Sequence, residues 1–272
     1  MFYLTHKKEM LGFSLLKSYP DIFHFTTSRQ GGFSQANYAS MNGSYYSGDR
    51  KELVDKNWNH LRSYFPSEPK QIIIPYQTHG DCIACIDEAF LALSPEAQKE
   101  KLHGVDALIS QEREVLLTIA TADCVPISLY DPVKQAVGVV HAGWRGTVSQ
   151  LLSKTVQLMF STFGCQAKDL LCCIGPSISL AAFEVGDEVV EAFRTAHFDL
   201  EELAWWNKQT QKYHLDLWKA NKRLLLDLGV LEQHISCAQI CTYHRHQEFF
   251  SARRLGISSG RIITGIQLNG KG

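Results

Sequence analysis

The sequence predicts an α/β (α+β) protein of layered mixed β-sheets packed with helices, as a single domain over residues 1–272. Two observations carry that expectation. Short apolar runs of strand length are numerous and several follow one another with no helix between, which argues against regular βαβ winding. Four or five segments with helical periodicity are interspersed among them, with no linker, low-complexity segment or clear repeat.

Taken in order, Pro20 to Ser34 reads as a short strand running into a Gly31-Gly32 turn. Ser28, Arg29 and the two glycines there make either an anion-binding bend or an ordinary solvated turn. Asp49 to Phe65 has a helical face of Leu53, Trp58 and Leu61. Lys70 to Pro75 is a strand that delivers Tyr76-Gln-Thr-His-Gly-Asp81, and residues 90–103 are helix-like. Val105–Ser110 and Val115–Ala120 are two further strands.

Cys124 opens the next strand, in which Val125, Ile127 and Leu129 alternate with Pro126, Ser128 and Tyr130 as in a partly buried strand. Asp131-Pro132 marks a turn, and the apolar run Ala136–Val140 ends on His141. If these strands pair antiparallel, the start of one lies beside the end of the other. Cys124 and His141 then become neighbours in space.

A long helix is expected from about Thr147 to Phe163, stopped by Gly164. Leu170–Gly175 is a buried strand, and a helix should run on from Phe183-Glu-Val-Gly-Asp-Glu188 to about Ala196, with Glu184 and Glu188 on its face. Residues 197–212 read as a polar surface excursion. His214–Leu228 is helical and ends at Gly229, Ala238–Cys241 is a strand, and Gly260–Leu268 is the last one.

Apolar residues make up 45% and charged residues 20% of the chain, with a formal net charge of −1. That balance gives no reason to expect a nucleic-acid or membrane partner. The N-terminus lacks the apolar core of a signal peptide and no run of 18 apolar residues occurs, so a cytoplasmic location is expected. In that compartment the eight cysteines are expected to be free thiols. Cys82-x-x-Cys85 lies in a strand-like stretch that would point its sulfurs to opposite faces, so both are expected to pack as small buried thiols, as are Cys172, Cys173, Cys237 and Cys241. The sequence assigns no oligomeric state.

Chemistry concentrates on His79, Cys124 and His141, each at a strand-to-loop transition. Two imidazoles and a thiolate suit zinc, and three protein ligands with an open fourth position form the catalytic pattern. Zinc lowers the pKa of a bound water from about 15.7 to about 7. A second use of the same residues is a Cys124–His141 thiolate–imidazolium couple, as in a metal-free cysteine hydrolase. The residues alone leave both open, beside a third possibility of buried thiol and core histidines. Asp106 and Asp123 are expected to lie behind the histidines and fix their tautomers. The loop Gly143-Trp-Arg-Gly-Thr147 precedes a helix, and Arg145 adds a charged fork suited to phosphate. Arg253-Arg254 is a further candidate anion contact.

Tyr76-Gln-Thr-His79, Asp106-Ala-Leu-Ile109, Thr121-Ala-Asp-Cys124, His141-Ala-Gly-Trp-Arg-Gly146, Ile174-Gly-Pro-Ser-Ile178, Phe183-Glu-Val-Gly186, Cys241-Thr-Tyr243 and Phe250-Ser-Ala-Arg-Arg254 together resemble the laccase-domain family, also called the multicopper polyphenol oxidase or YfiH family and including YlmD. The resemblance runs from about Ser28 to Leu268. It implies zinc held by His79, Cys124 and His141, and phosphorolysis of adenosine, inosine or methylthioadenosine to base plus ribose 1-phosphate, with adenosine deamination in some members. Older family names imply copper-dependent phenol oxidation, and another branch is described as peptidoglycan editing. Multicopper chemistry needs closely spaced histidines for several ions, whereas the eleven histidines here offer His244-x-His246 as their one such pair. Zinc is therefore expected over copper. The His-x-Glu and Pro-Cys-x-x-Cys signature of known zinc deaminases is also missing, so deamination would need another acid/base, for which Asp123 is the candidate. On this reading Cys124, His141, Arg145 and Asp123 are catalytic, Arg29, Asn42, Gln77, Arg145 and Arg254 contact substrate, and the partners are a purine nucleoside and phosphate. A Cys124/His141 hydrolase or a metal-stabilised scaffold is the alternative.

Overall fold

The computed structural model describes residues 1–6 and 8–270. Two mixed six-stranded sheets form its centre. In spatial order the first contains Phe2–Tyr3, Met10–Gly12, Ile22–Thr27, Ile262–Leu268, Val115–Thr121 and Gln71–Ile73. The second contains Ile235–Cys237, Leu171–Ile174, Val125–Asp131, Ala136–Ala142, Val105–Ser110 and Cys82–Cys85. Most neighbours are antiparallel, while Gln71–Ile73, Cys82–Cys85 and Ile235–Cys237 pair in parallel.

Strand periodicity explains the layering. On the Val115–Thr121 and Ile262–Leu268 strands, Leu117, Ile119, Ile266 and Leu268 face Leu108, Tyr130, Val137 and Val139 of the second sheet in one apolar layer. The opposite faces are roofed by helices. Val54, Trp58 and Leu61 of the Lys51–Arg62 helix cover Phe25, Leu116 and Ile263. Val125, Ile127 and Leu129 pack under Leu151, Leu152, Val156 and Met159 of the Leu151–Phe163 helix, and under Leu224 and Leu225 of the Leu217–Asp227 helix. Helices thus lie outside both sheets, as the layered α/β expectation has it. All seven residues of Val125–Asp131 and of Ala136–Ala142 are buried, because these central strands are covered on both faces. Each such Leu or Ile contributes about 1.5–3 kcal/mol of burial energy.

Several elements differ from expectation for identifiable reasons. The long helix after His141 is broken into Trp144–Val148 and Leu151–Phe163, because Gln150 adopts a left-handed conformation at φ 63°. Gly164 does stop it, at φ 68°. Residues 197–212 form a short helix, Leu200–Leu203, and one arm of a small three-stranded sheet in which Lys212–Leu215 lies between Glu184–Val185 and Ala204–Asn207. Glu184 is therefore a strand residue beside Lys212 and His214, not a helix-face charge. The last cysteine-containing strand is Ile235–Cys237 rather than 238–241. Cys172, Cys173 and Cys241 are buried as expected, but Cys82 is exposed and Cys85 and Cys237 are partly buried. The reason is position: Cys82–Cys85 and Ile235–Cys237 are the two edges of the second sheet. Among the described residues no helix is long and apolar enough to cross a membrane.

Candidate metal centre and its cavity

Two short crossovers between the sheets build the site. Residues 122–124 carry the chain from Val115–Thr121 in the first sheet to Val125–Asp131 in the second, so Cys124 sits at the sandwich rim. The segment bearing His79 makes the same passage from Gln71–Ile73 to Cys82–Cys85. The antiparallel register puts Val125 opposite Ala142 and Pro126 opposite His141, which brings Cys124 and His141 together as their strand ends require. Positive φ values at Asp123 (87°) and His79 (63°) turn both crossovers sharply.

The ligand atoms of His79, Cys124 and His141 lie within 4.8 Å of one another. The two imidazoles meet edge to face with centroids 4.8 Å apart. Gly143 keeps the space open: a Cβ there would come within 3.0 Å of the Cys124 sulfur and 3.5 Å of His79 Cδ2. Asp106 lies fully buried behind the group. Its carboxylate accepts from the backbone N–H groups of Thr78 (3.2 Å), His79 (3.1 Å) and Gly80 (2.7 Å), and lies 2.7 Å from His141 Nδ1. One side chain thereby holds the His79 turn and leaves His141 Nε2 directed at the other ligands.

Burial pushes the Cys124 thiol up, but the His141 charge and hydrogen bonds from both histidines outweigh it and hold it at about 6. Burial pushes His141 down, and the Cys124 thiolate with Asp106 overcomes that and raises it to about 9. Burial also raises Asp106, and the His141 hydrogen bond with the backbone donors brings its net shift downward. A soft thiolate and two imidazoles, one braced by a carboxylate, form a donor set that fits a single borderline cation such as zinc.

The three ligands open into a cavity of about 500 Å³. Its lining includes Ser44, Tyr46, Tyr76, Gln77, Phe183 and Arg261. Tyr46 and Tyr76 meet at 90° with centroids 4.9 Å apart, and Tyr76 stacks on His103.

Of the residues expected to touch substrate, Gln77 lines this cavity while clamping the Ala120 backbone through both its amide atoms. Asn42 is fully buried behind the wall, where it holds Ser44, Ser47, Asp49 and the Arg261 backbone N–H. The guanidinium of Arg29 is spent on the carbonyls of Ala39 and His246 and lies over Phe250. The Ser28–Gly32 bend is accordingly a packed turn rather than an open anion nest. Arg145 lies over Trp144, Arg254 donates to the Tyr243 hydroxyl, and neither lines the cavity. Asp123 does line it, yet its carboxylate accepts from Thr242 Oγ1 (2.6 Å), Ser251 Oγ (3.0 Å) and the Arg253 N–H (2.7 Å). It braces the Ser251–Arg253 loop instead of a histidine. Sequence reasoning missed Thr121, Tyr46, Tyr76 and Arg261 as wall residues. Tyr76 and Thr121 carried a signal as the first residues of the His79 and Cys124 motifs, and Arg261 as a charged residue opening an apolar strand.

The family model described as Multi-copper polyphenol oxidoreductase laccase matches residues 23–269. The chain belongs to this family. Within the laccase family it is 48% identical over 269 residues to the purine nucleoside phosphorylase of Bacteroides thetaiotaomicron, covering 99% of this chain and 100% of that one. It is 40% identical over 250 residues to adenosine deaminase RL5 of an unknown prokaryotic organism, covering 92% and 95%. The crystal structure of YfiH from Bacillus licheniformis superposes with a TM-score of 0.87 at 26% identity, covering 97% of this chain and 98% of that one. The family's fold and this layered sandwich therefore agree.

Proposed function

We propose that this laccase-family protein is a zinc-dependent purine nucleoside phosphorylase whose single metal is held by His79, Cys124 and His141. The observation that carries the reading is the three-ligand cluster at the floor of a cavity of about 500 Å³, large enough for a nucleoside. Close similarity to a protein named purine nucleoside phosphorylase supports the substrate class. A bound zinc would supply Lewis acidity at the cavity floor. The chain's own residues do the rest. Asp106 keeps His141 in one tautomer, Cys124 is presented as a thiolate, and the Tyr46–Tyr76 wall offers apolar ring faces suited to a purine. Phosphorolysis joins a phosphate oxygen to ribose C1′ as the C1′–N9 pair departs with the base. The proton carried by hydrogen phosphate ends on the base, so the products are ribose 1-phosphate and neutral purine.

One cluster of three ligands among the described residues suits one ion, whereas multicopper oxidation requires ligands for several. Adenosine deamination at the same site is a second reading, favoured by the 40% identity to a protein named adenosine deaminase.

The test measures adenine and inosine released from adenosine, with and without phosphate, alongside metal content. Phosphate-dependent adenine release with about one zinc per chain, both lost in Cys124→Ala, is expected. Phosphate-independent inosine release would establish the deaminase reading instead. Turnover that survives chelation yet is abolished by thiol alkylation would replace both with the Cys124–His141 hydrolase.

A further inference from the structure

The cavity wall holds polar groups that the fold itself leaves uncompensated. Thr121 is 1% exposed, lines the cavity, and its hydroxyl has no hydrogen-bond partner among the described residues. An unpaired buried hydroxyl is a stability cost that a methyl group in its place would remove. Arg261 lies beside it, because Ile262 pairs with Thr121 across the first sheet. Its guanidinium donates through Nη1 to the carbonyls of Ser259 (2.6 Å) and Gly260 (3.1 Å) and through Nη2 to that of Ile257 (2.9 Å). This fixes its orientation, leaves its charge without a carboxylate, and leaves Nε–H with no partner among the described residues. Arg50, Arg62, Arg194, Arg223 and Arg245 all pair with carboxylates, whereas Arg261 and the other cavity arginine, Arg253, have no such pair among the described residues. Asp123, the carboxylate nearby, is already engaged by three donors.

We propose that Arg261 and the Thr121 hydroxyl, with Arg253 at the rim, form the oxyanion subsite of this cavity and bind the inorganic phosphate consumed in phosphorolysis. This rests on the phosphorylase reading and moves the phosphate from the Arg145 loop to the start of the last strand. A fixed guanidinium supplies charge-assisted donors, and a neighbouring hydroxyl supplies one more. Arg145 lies over Trp144 and is not among the residues that line the cavity.

The experiment varies phosphate and adenosine independently for wild type, Arg261→Gln, Arg261→Lys, Thr121→Val and Thr121→Ser, with calorimetric titration of inorganic phosphate in the absence of nucleoside. Arg261→Gln should raise the phosphate KM by about tenfold to a hundredfold, with the adenosine KM shifted less than about threefold and partial recovery in Arg261→Lys. Thr121→Val should raise the phosphate KM by about three- to tenfold while melting at or above the wild-type temperature, and Thr121→Ser should restore it. A phosphate KM unmoved in both Arg261→Gln and Thr121→Val, or phosphate and adenosine KM rising together, overturns the assignment while leaving the phosphorylase standing. If wild type shows no phosphorolysis, calorimetry decides separately. Phosphate binding lost in Arg261→Gln keeps the oxyanion subsite and removes the phosphorylase reading, and no phosphate binding removes both. AMP turnover without added phosphate that depends on Arg261 would reassign the subsite to a nucleotide's own phosphate and overturn the proposal.

Discussion

Replacing Asp106 by Asn changes one atom type at the point where the candidate centre is assembled. The carboxylate is fully buried, receives three backbone N–H groups from the His79 turn, and contacts His141 Nδ1 at 2.7 Å. Asn has one acceptor oxygen, and its amide N–H₂ must face a backbone donor or the Nδ1 proton. Hydrogen bonds to a charged group are worth about 1.5–3 kcal/mol against about 1 for neutral ones, so weakening this set should cost about 2–4 kcal/mol of stability. The His141 ring also loses the partner that fixes its tautomer, which should weaken metal binding by about 10–100-fold. Competitive chelator titration of zinc reads the second effect and urea unfolding of the same samples reads the first. Zinc affinity within about threefold of wild type, together with an unchanged unfolding midpoint, would refute the idea that Asp106 organises both histidines.

Two other predictions concern the scaffold. Burial holds His24 down to about 4, and the Phe13 N–H at 2.8 Å needs the neutral ring as its acceptor. A histidine whose folded pKa is depressed contributes full stability above its unfolded value of about 6.5, and that contribution falls as pH drops toward 4, by about 3 kcal/mol in all; urea midpoints between pH 6.5 and 4 should fall steeply in wild type and less steeply in His24→Asn. Gly32→Ala would place a Cβ 2.3 Å from the Ser40 carbonyl oxygen and 2.5 Å from Met41 Cα, so thermal unfolding should show a loss of about 1–3 kcal/mol, and an unchanged melting temperature would show that the Ser28–Gly32 turn is less tightly packed than described.

Local pattern in the sequence determined much of this protein. Alternation and apolar runs specified most central strands and the Lys51–Arg62 helix, since a buried face imposes its period on the residues that fill it. The Cys124–His141 neighbourhood followed from one antiparallel turn, because pairing across a short connection leaves little freedom in register. His79 was a candidate ligand from its strand-to-loop position and from the family motif, and its place beside the pair came only from the crossover between sheets. What the tertiary structure alone decided was which arginines reach the cavity. Arg29, Arg145 and Arg254 looked like anion contacts in the sequence; the Arg29 guanidinium donates to the Ala39 and His246 carbonyls, and none of the three is among the residues that line the cavity. Arg261 looked like the start of a strand, yet it faces the cavity beside an unpartnered hydroxyl that lies 140 positions earlier in the chain. An arginine's chemistry depends on the acceptors around it, and those acceptors come from segments that only folding brings together.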